Sequence, residues 1–566
     1  MDQSLIVSYL YAAGEGRVEQ SNAIAGQITN EIFQGNVQLL ELVQAMGNHL
    51  TDDDEEIRKN SMGLLADVLN RFESDTLTSQ QIKVMLKFLC DRADDEICTG
   101  AALQGILALV SMDGCRKAEV LTLMETLFAT IEIRKHSQYT RFSYFQIHET
   151  LLRKHRDFLK TQNDDYIACF SKAVEGEKDP RNLMASFSII KVLLVEFDIR
   201  QFVQDLFDVT FCYFPITFRP PPDDPYHITA EDLKIRLRQC IAATDLFAGL
   251  AIPSLLEKLN VSSPSIKKDA LETLSACARN YGAQTLSLYA NQIWESVKFE
   301  VLHALEDDLA DESLRVLAAI TITLSAAPSD SHLSKFLSTM SGECAPELRE
   351  PHQKQGKPAG KIIAACAQSC ILANTILMNT ILPPLFHLCN ESSEVPKRRA
   401  FIELFTLFLD AYGTLYGWEG DYLESIEDGA IVHYKTELLD TFRSSLIGLH
   451  LKSEISLRLA ALKALAKLAA VKSLLSEAEV SMIIGYMDKT IIEEENKNLW
   501  YKFRIPILLI IVMRRLNHFQ QCHKYFQHWY CTSPFLPCLH NFQMKKPIKQ
   551  RKFRQRKNLI SLFYPL

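Results

Sequence analysis

A turn and the helix after it decide the fold. They lie in residues 263–278, which have the sequence SPSIKKDALETLSACA. Ser263-Pro264 favours a helix start, because a serine oxygen at this position can cap the first N–H groups and proline has a helical φ and no N–H to lose. A basic residue, Lys267, follows within one helical turn. The alanines and leucines after it lie on one stripe, so the pattern predicts an amphipathic helix that begins at a sharp turn.

The same pattern recurs along the chain, each time with a basic residue close behind the turn. Successive basic residues are 123, 86, 48, 83 and 60 positions apart, and most of these gaps are near multiples of about 41 to 48, the period of HEAT and armadillo units. A single helix pair cannot bury its apolar stripe, whereas stacked pairs can. We therefore predict an all-α, HEAT/armadillo-type superhelical solenoid. The repeat-turn basic positions are Arg58, Arg181, Lys267, Arg315, Arg398 and Arg458.

Two of the turns also carry the spacing of a capping box, in which the first residue caps the helix and an acidic or amide side chain three residues later bonds back to it. The pairs are Asp53 with Glu56 and Thr229 with Asp232. Both pairs predict the first turn of a helix.

The composition excludes several classes of protein. Apolar residues make up 47% of the chain, and 21 glycines and 20 prolines are too few for an all-β or disordered chain. The start has no secretory or transit signal, the aliphatic run 507–513 is too short to span a bilayer, and the 14 cysteines are scattered. We expect a reducing compartment and no membrane contact.

Charge divides the chain into two parts. Residues 1–495 hold all 69 acids against 47 lysines and arginines, whereas residues 496–566 hold 14 basic residues and no acid. An acidic body repels phosphate backbones, so we expect no direct binding of nucleic acid by it. Residues 545–557 carry eight basic residues, which indicates either a nuclear address or nucleic-acid patch, or a solvated terminus.

Breaks in the repeat pattern suggest the domain organisation. We predict an N-terminal HEAT-repeat domain over 1–340, a linker over 341–360, further HEAT repeats over 361–500, and an atypical, poorly ordered basic tail rich in Cys and His over 501–566. The linker is predicted because residues 344–360 contain three prolines and two glycines in a polar context. The tail's cysteines and histidines match no zinc-finger spacing, so a metal site there is the weaker interpretation.

A proline-rich loop interrupts the first domain at residues 214–226, FPITFRPPPDDPY. Three consecutive prolines cannot be helical and favour an extended segment, so the loop is predicted to project from the stack. Either it is a linker or it contacts a partner protein. The candidate contact residues are Phe218, Arg219, Pro220, Pro221, Pro222, Asp223, Asp224, Pro225 and Tyr226.

Motifs for chemistry are incomplete throughout. The segment 356–361, GKPAGK, is one residue short of a phosphate loop, and His148-Glu149 lacks the second histidine of a zinc protease. Cys366 and Cys370 are four residues apart, so on one helix they would share a face and could bind a metal, but packing as small apolar residues is the favoured interpretation. We predict no catalytic, cofactor-binding or metal-binding residues and no cofactor.

The proline-rich loop and its flanks resemble a known family. Residues 207–226, with 228–234 after them, are similar to the signature of the MMS-nineteen family, also known as Met-eighteen. Residues 27–69 resemble the start of its N-terminal domain, and Glu350-Pro351 with residues 357–361 resembles a further segment. The resemblance covers about residues 20–500, which is the N-terminal half of such proteins, and the atypical tail follows it.

The resemblance implies a function without catalysis. Family members are scaffolds, or adaptors, of the cytosolic iron–sulfur cluster assembly targeting complex, which delivers clusters to apo-proteins of DNA replication, repair and transcription. The implied partners are a WD-repeat propeller, a small cluster-transfer adaptor and iron–sulfur clients such as DNA helicases and polymerases. A helicase subunit of transcription factor IIH links the family to nucleotide excision repair. The implied location is cytoplasmic and nuclear.

Two other functions fit the same residues. One is a regulator of DNA repair and transcription factor IIH that acts without iron, and the other is a nuclear-transport-like HEAT receptor. An enzyme is the least favoured class, because no catalytic constellation is present in the sequence.

Overall fold

The computed structural model describes residues 3–222, 224–304, 306–418, 429–446 and 454–493. Within these ranges the chain forms helices, and the one β feature is an isolated antiparallel bridge between Trp418 and Val471. The predicted tail over 501–566, the charged run 545–557 and the aliphatic run 507–513 lie outside the described residues. The all-α prediction is confirmed.

The helices, numbered along the chain, stack in two rows. In row one every helix contacts the next member of the row. The members of row one are α1 (Gln3–Gly14), α5 (Glu55–Leu69), α7 (Thr99–Ser111), α9 (Gln138–Thr161), α11 (Pro180–Glu196), α13 (Ala230–Ile241), α15 (Pro264–Asn280), α17 (Asp307–Ser325), α19 (Gly356–Ala367), α21 (Val395–Tyr416) and α24 (Ile455–Ala470).

The intervening helices form row two, in which most members from α14 onward also contact their neighbour in the row. They are α2 (Val18–Phe33), α6 (Ser79–Arg92), α8 (Lys117–Glu125), α10 (Asn163–Val174), α12 (Val203–Phe211), α14 (Ala248–Lys258), α16 (Ala283–Leu302), α18 (Ser331–Arg349), α20 (Ile371–Glu391), α23 (Lys435–Ser444) and α25 (Glu477–Glu493). Short helical segments are α3 (Leu39–Ala45), α4 (Gly47–Leu50), α22 (Ala430–His433), Thr126–Thr130, Ile133–Lys135 and Asp245–Phe247.

Row one carries all six basic residues that the sequence pattern singled out. From Arg58 to Arg181 the row advances by three helices, and from Arg181 to Lys267 by two. The later steps are one, two and one helices, in the same order as the gaps in sequence. The spacing of the basic residues in the sequence therefore follows the number of row-one helices between them. The structure is a HEAT-type solenoid, as predicted.

The caps follow the predicted chemistry with two differences. Thr229 and Asp232 form the capping box at the start of α13. At α5 the cap is Asp54, whose carboxylate accepts from the N–H groups of Glu56 and Ile57, so the predicted cap at Asp53 is wrong by one residue. Ser263 is at the N-cap of α15, but its hydroxyl makes no capping bond, so proline geometry sets this start.

The predicted linker over 341–360 is wrong in its secondary structure. Helix α18 continues to Arg349 with Pro346 inside it, and α19 begins at Gly356. Helix α19 contacts both α17 and α21, so row one continues across this segment. Pro351 lies in the tight turn between α18 and α19, and the other prolines and glycines of this segment belong to those two helices. The buried apolar residues form a single cluster that extends from Ile6 to Ile483. One core therefore joins the predicted N-terminal and later repeats.

Gly356 shows why this turn needs its glycine. A Cβ at Gly356 would lie 2.5 Å from Cα of Pro351 and 2.6 Å from its carbonyl oxygen, and backbone atoms cannot move away as a side chain can. We expect Gly356→Ala to destabilise the α18–α19 region by about 1–3 kcal/mol, because overpacking forces a backbone shift. Hydrogen exchange of the two helices measures the effect.

The control for this prediction is Gly342→Ala in α18, where an added Cβ meets no atom within 4 Å. There the change is expected to stabilise the helix by about 0.5–1 kcal/mol, because alanine is the better helix former. Equal effects at the two glycines would contradict the steric argument.

One described helix, α20, has the length and apolar composition that could cross a membrane. Its Leu377, Met378 and Leu382 are buried, and the helix packs against α18, α19 and α21. These contacts make α20 a core helix of the stack.

Candidate protein-interaction surface

The first turns of α5, α9 and α11 lie beside the segments that lead into the next row-one helix. We call this side of the stack the row-one edge and define it by α5, α9, α11 and α13 with the segments before α7, α11 and α13. Arg58 in the first turn of α5 donates from Nε to Asp95 Oδ2 at 2.9 Å, and Asp95 lies just before α7. This contact links one repeat to the next.

Arg141 makes the equivalent contact from the first turn of α9. Its Nε and Nη2 donate to the two carboxylate oxygens of Glu177 at 2.7 and 2.8 Å, and Glu177 lies just before α11. The Glu177 side chain is only 2% exposed. Two parallel hydrogen bonds between a guanidinium and a carboxylate fix the relative orientation of the two groups and pair their opposite charges.

The two carboxylates at the row-one edge are held in the ionised form. For Asp95 the hydrogen bond from Arg58 lowers the pKa below its usual value. For Glu177 burial raises the pKa, but the hydrogen bonds from Arg141 and from the N–H groups of Asp179 and Lys178 outweigh burial and lower it. Both ion pairs are therefore intact near neutral pH.

The other predicted basic positions have mixed surroundings. Lys267 donates to Glu300 at 2.7 Å, and Arg398 donates to Ser445 Oγ at 3.3 Å. Arg458 is almost fully buried and lies 3.5 Å from Glu454. Arg315 is wrong as a turn position, because it lies in the middle of α17 and pairs with Glu312 on the same helix.

Arg181 differs from Arg58 and Arg141 in its partner. Its guanidinium carbon lies 3.4 Å from the ring centroid of Phe142 and 4.3 Å from that of Tyr226. Nη1 of Arg181 donates to the hydroxyl of Tyr226 at 3.0 Å. Tyr226 precedes α13 in the chain, as Asp95 precedes α7, so an aromatic side chain takes the position of the carboxylate.

The proline-rich loop connects α12 to α13, and its base is anchored in the stack. Tyr213 donates from its hydroxyl to the carbonyl of Glu177 at 3.0 Å, and its ring packs edge-on against Phe187. Phe214 stacks on Phe211 at 5.3 Å between centroids. These contacts hold the start of the loop to α11 and α12.

The tip of the loop is exposed and its return is held by hydrogen bonds. Arg219 and Pro220 to Pro222 are exposed, as are Pro225 and Tyr226. Phe218 and Asp224 are half-buried, and Asp223 lies outside the described residues. The Asp224 carboxylate accepts from the N–H groups of Tyr226 and Ile228 at 3.2 and 3.0 Å. An anchored base with an exposed tip can present side chains in a fixed arrangement.

Three residues of this surface were missed by the sequence analysis. Tyr139, Phe142 and Arg141 lie at the start of α9, where Ser137 caps the helix. Ser137 followed four residues later by Arg141 is the same signal as Ser263 followed by Lys267, but it lacks the acidic or proline residue used to find the other turns.

The cysteine prediction needs a correction. Cys366 is the penultimate residue of α19, whereas Cys370 is the N-cap of α20, so the two do not share the face of one helix. Cys366 is fully buried against the sulfur of Met340, and burial raises the pKa of its thiol to about 12. Cys370 Sγ accepts from the N–H of Ala373. Both side chains have structural contacts.

Side chains that bind metals do not cluster in the described ranges. This part of the chain holds no group of three or more His, Cys, Asp or Glu side chains placed to bind one metal ion. His148 is fully buried, and its Nδ1 lies 3.0 Å from the hydroxyl of Tyr166. This histidine therefore packs in the core.

The fold and this surface define a helical-repeat protein of the HEAT class. Residues 43–303 match the family model MMS19_N, described as a Dos2-interacting transcription regulator of RNA-Pol-II. That match, together with the relatives below, confirms the predicted resemblance to the MMS-nineteen family. The matched range holds the row-one edge and the proline-rich loop.

Curated relatives carry the same family name. The chain is 29% identical to the DNA repair/transcription protein mms19 of Schizosaccharomyces pombe, over 86% of this chain and 48% of the relative. It is 30% identical to the DNA repair/transcription protein of Saccharomyces cerevisiae that is named Met-eighteen/MMS19, over 85% and 49%. The human MMS19 nucleotide excision repair protein homolog is 30% identical over 69% and 38%. The chain spans about half the length of the fungal relatives.

Solved structures with a similar arrangement are karyopherins. A structure of Kap95p with RanGDP matches with a TM-score of 0.44 and 12% identity, over 92% of this chain and 63% of that one. Kap121p bound to Ste12p matches with a TM-score of 0.46 and 12% identity, over 87% and 47%.

Proposed function

We propose that this chain is a non-catalytic adaptor in DNA repair and transcription, and that the row-one edge with the proline-rich loop binds partner proteins. The observation that carries the proposal is the anchored loop with an exposed tip, which lies inside the range that matches the family model. The relatives' names support the repair and transcription setting.

Within this role we propose the finer function that the family resemblance implies. The chain would act as a scaffold of the cytosolic iron–sulfur assembly targeting complex, with a WD-repeat propeller, a small cluster-transfer adaptor and apo-proteins such as DNA helicases and polymerases as partners. The scaffold raises the effective concentration of the loading module near its client. Cys366 is fully buried against the sulfur of Met340, which supports a packing role for this cysteine.

The proposed setting is the cytoplasm and the nucleus, without membrane contact. The excess of acids over bases in residues 1–495 supports binding to proteins over direct binding to nucleic acid. The partners would then contact nucleic acid themselves.

Tagged purification of the full chain tests the proposal. Recovery of the propeller protein with apo iron–sulfur clients is expected. Recovery of transcription factors alone would favour the second candidate, a regulator that acts without iron, which the family description as a regulator of RNA-Pol-II supports. Recovery of no partner protein would contradict both.

Replacing Pro220, Pro221 and Pro222 by alanine is expected to lower partner recovery about tenfold, because the exposed tip loses its fixed shape and contact area. Helicity measured by circular dichroism is expected to stay the same, since the three prolines lie between α12 and α13. The matched control is Pro328→Ala in the exposed turn between α17 and α18. Unchanged recovery with the triple variant would leave the loop a connection between helices.

A further inference from the structure

We infer that Arg181, with Phe142 and Tyr226 packed against it, binds a carboxylate from an acidic peptide segment of a partner protein. The inference rests on the proposed function only in taking the row-one edge as a binding surface. It names the chemistry of the partner at one position of that surface, and it does not depend on iron–sulfur proteins.

The first step is a comparison between repeats. Arg58 and Arg141 each lie in the first turn of a row-one helix, and each is paired with a carboxylate from the segment before the next row-one helix. Arg181 also lies in the first turn of its helix, α11, but it is two residues after the N-cap, whereas Arg58 and Arg141 are four residues after theirs, and it faces Tyr226. Among the described residues, no carboxylate oxygen lies within 4.0 Å of its guanidinium nitrogens.

The second step is that nearby acids on the described chain are already engaged. Glu177 holds Arg141, and the carboxylate of Asp179 caps α11 by accepting from the N–H of Asn182. The Asp224 carboxylate accepts from two backbone N–H groups of its own loop. None of these three is available to Arg181 without breaking an existing contact.

The third step is the geometry of the guanidinium. Phe142 and Tyr226 lie over its face, which holds the plane in one orientation and leaves the donors at its edge. One donor reaches the hydroxyl of Tyr226. The side chain is half-exposed, and none of its nitrogens is buried without a partner. A planar donor edge that is fixed and open to solvent suits the two oxygens of a carboxylate.

Aromatic residues that contact Arg181, or that lie one helical turn from one that does, supply contact area. Tyr139 is 60% exposed and lies one helical turn before Phe142 on α9, and Tyr226 is 40% exposed. Tyrosine and arginine are among the residues most enriched where protein interfaces carry their binding energy. A partner segment with an acidic residue flanked by apolar ones would therefore fit this surface, and the acidic body elsewhere would disfavour segments that present only negative charge.

The test is a selection of random 12-residue peptides displayed on phage against the immobilised full chain. Enrichment of Asp and Glu flanked by apolar residues is expected. A selected peptide is then synthesised, together with a version in which its acids are replaced by their amides, and the affinity of both is measured by fluorescence anisotropy. The amide version is expected to bind about tenfold more weakly.

Variants of the chain then assign the binding to Arg181. Arg181→Gln is expected to weaken binding of the selected peptide about tenfold, and Arg181→Lys is expected to weaken it less, because lysine keeps the charge but not the planar edge. Arg200→Gln is the matched control, since Arg200 is an exposed arginine beyond the other end of α11, paired with Asp198. Thermal unfolding of each variant checks that the stack is intact.

Several results would overturn the inference. Selected peptides without acidic enrichment, or peptides that bind Arg181→Gln as well as the parent chain, would each do so. Asp223→Asn is expected to leave the affinity unchanged. A tenfold gain with Asp223→Asn would show that the chain's own carboxylate occupies the position, which would also overturn it. Loss of peptide binding in Arg181→Gln with normal recovery of iron–sulfur partners would separate this site from the larger proposed function.

Discussion

Replacing Arg141 by methionine is expected to destabilise the α9–α11 region by about 3–5 kcal/mol, the cost of leaving one member of a buried ion pair without its partner. The carboxylate of Glu177 is only 2% exposed and receives two hydrogen bonds from Arg141. Methionine fills a similar volume, so the change removes charge and hydrogen bonds and keeps most of the packing. Hydrogen exchange of α9 and α11 measures the free energy of local opening.

The matched control is Arg134→Met. Arg134 pairs with Glu175 in the same interval between the two repeats, but both side chains are at least half exposed. Exposed pairs contribute about 0–1 kcal/mol, so the control is expected to change protection little. If the two variants lost equal protection, burial of Glu177 would not be the cause.

The effect of Arg141→Met is also expected to depend on pH. In the parent chain the pKa of Glu177 is lowered, so this carboxylate contributes stability above its unfolded pKa and loses that contribution as the pH falls through the folded pKa. In the variant, burial without Arg141 is expected to raise the pKa, which reverses the sign of the contribution. The difference between parent and variant should be large near neutral pH and shrink as the pH falls below the unfolded pKa. A difference independent of pH would contradict the electrostatic explanation.

The sequence predicted the stack because its turn chemistry is local. Capping at Thr229 and a proline at the first position of α15 act within one helical turn, so they are readable without tertiary contacts. Basic residues recur because α5, α9, α15, α21 and α24 each carry one four residues after the N-cap. Row one follows from these signals and from the need to bury the stripes between neighbours.

The errors have an equally physical origin. Residues 311–315 look like an acidic turn followed by arginine, but acids inside a helix give the same composition, and α17 passes through this segment. The prolines and glycines of 341–360 look like a linker, yet Pro346 is accommodated within α18 and Gly356 packs against Pro351. Composition in both places is compatible with two structures, and packing against the stack selects one.

The candidate surface was predictable only in part. The three prolines identify an exposed loop, because they exclude a helix. The stacking of Arg181 on Tyr226 joins residues 45 positions apart, and the contact with Phe142 joins α11 to α9. No local sequence pattern identifies contacts between residues so far apart. That Arg181 faces Tyr226 and not a carboxylate was therefore visible only in the structure.

Phe405→Ala is expected to cost about 3–5 kcal/mol of local stability, the loss usual for a buried phenylalanine. Phe405 is fully buried in α21, stacks on Phe386 of α20 at 4.8 Å and lies 6.4 Å from Phe442 of α23. It therefore joins row one to row two in the later repeats. Hydrogen exchange of α20, α21 and α23 measures the loss.

The stacked arrangement of the repeats determines how far along the chain Phe405→Ala lowers hydrogen-exchange protection. Each repeat contacts mainly its neighbours, so protection is expected to fall in α20 to α23 and to stay unchanged in α5 to α9. The control is Phe299→Ala in α16, a side chain that is 57% exposed, for which a change within about 0.5 kcal/mol is expected. Loss of protection in α5 to α9 with Phe405→Ala would contradict the nearest-neighbour description. It would mean instead that the continuous core from Ile6 to Ile483 opens as one cooperative unit.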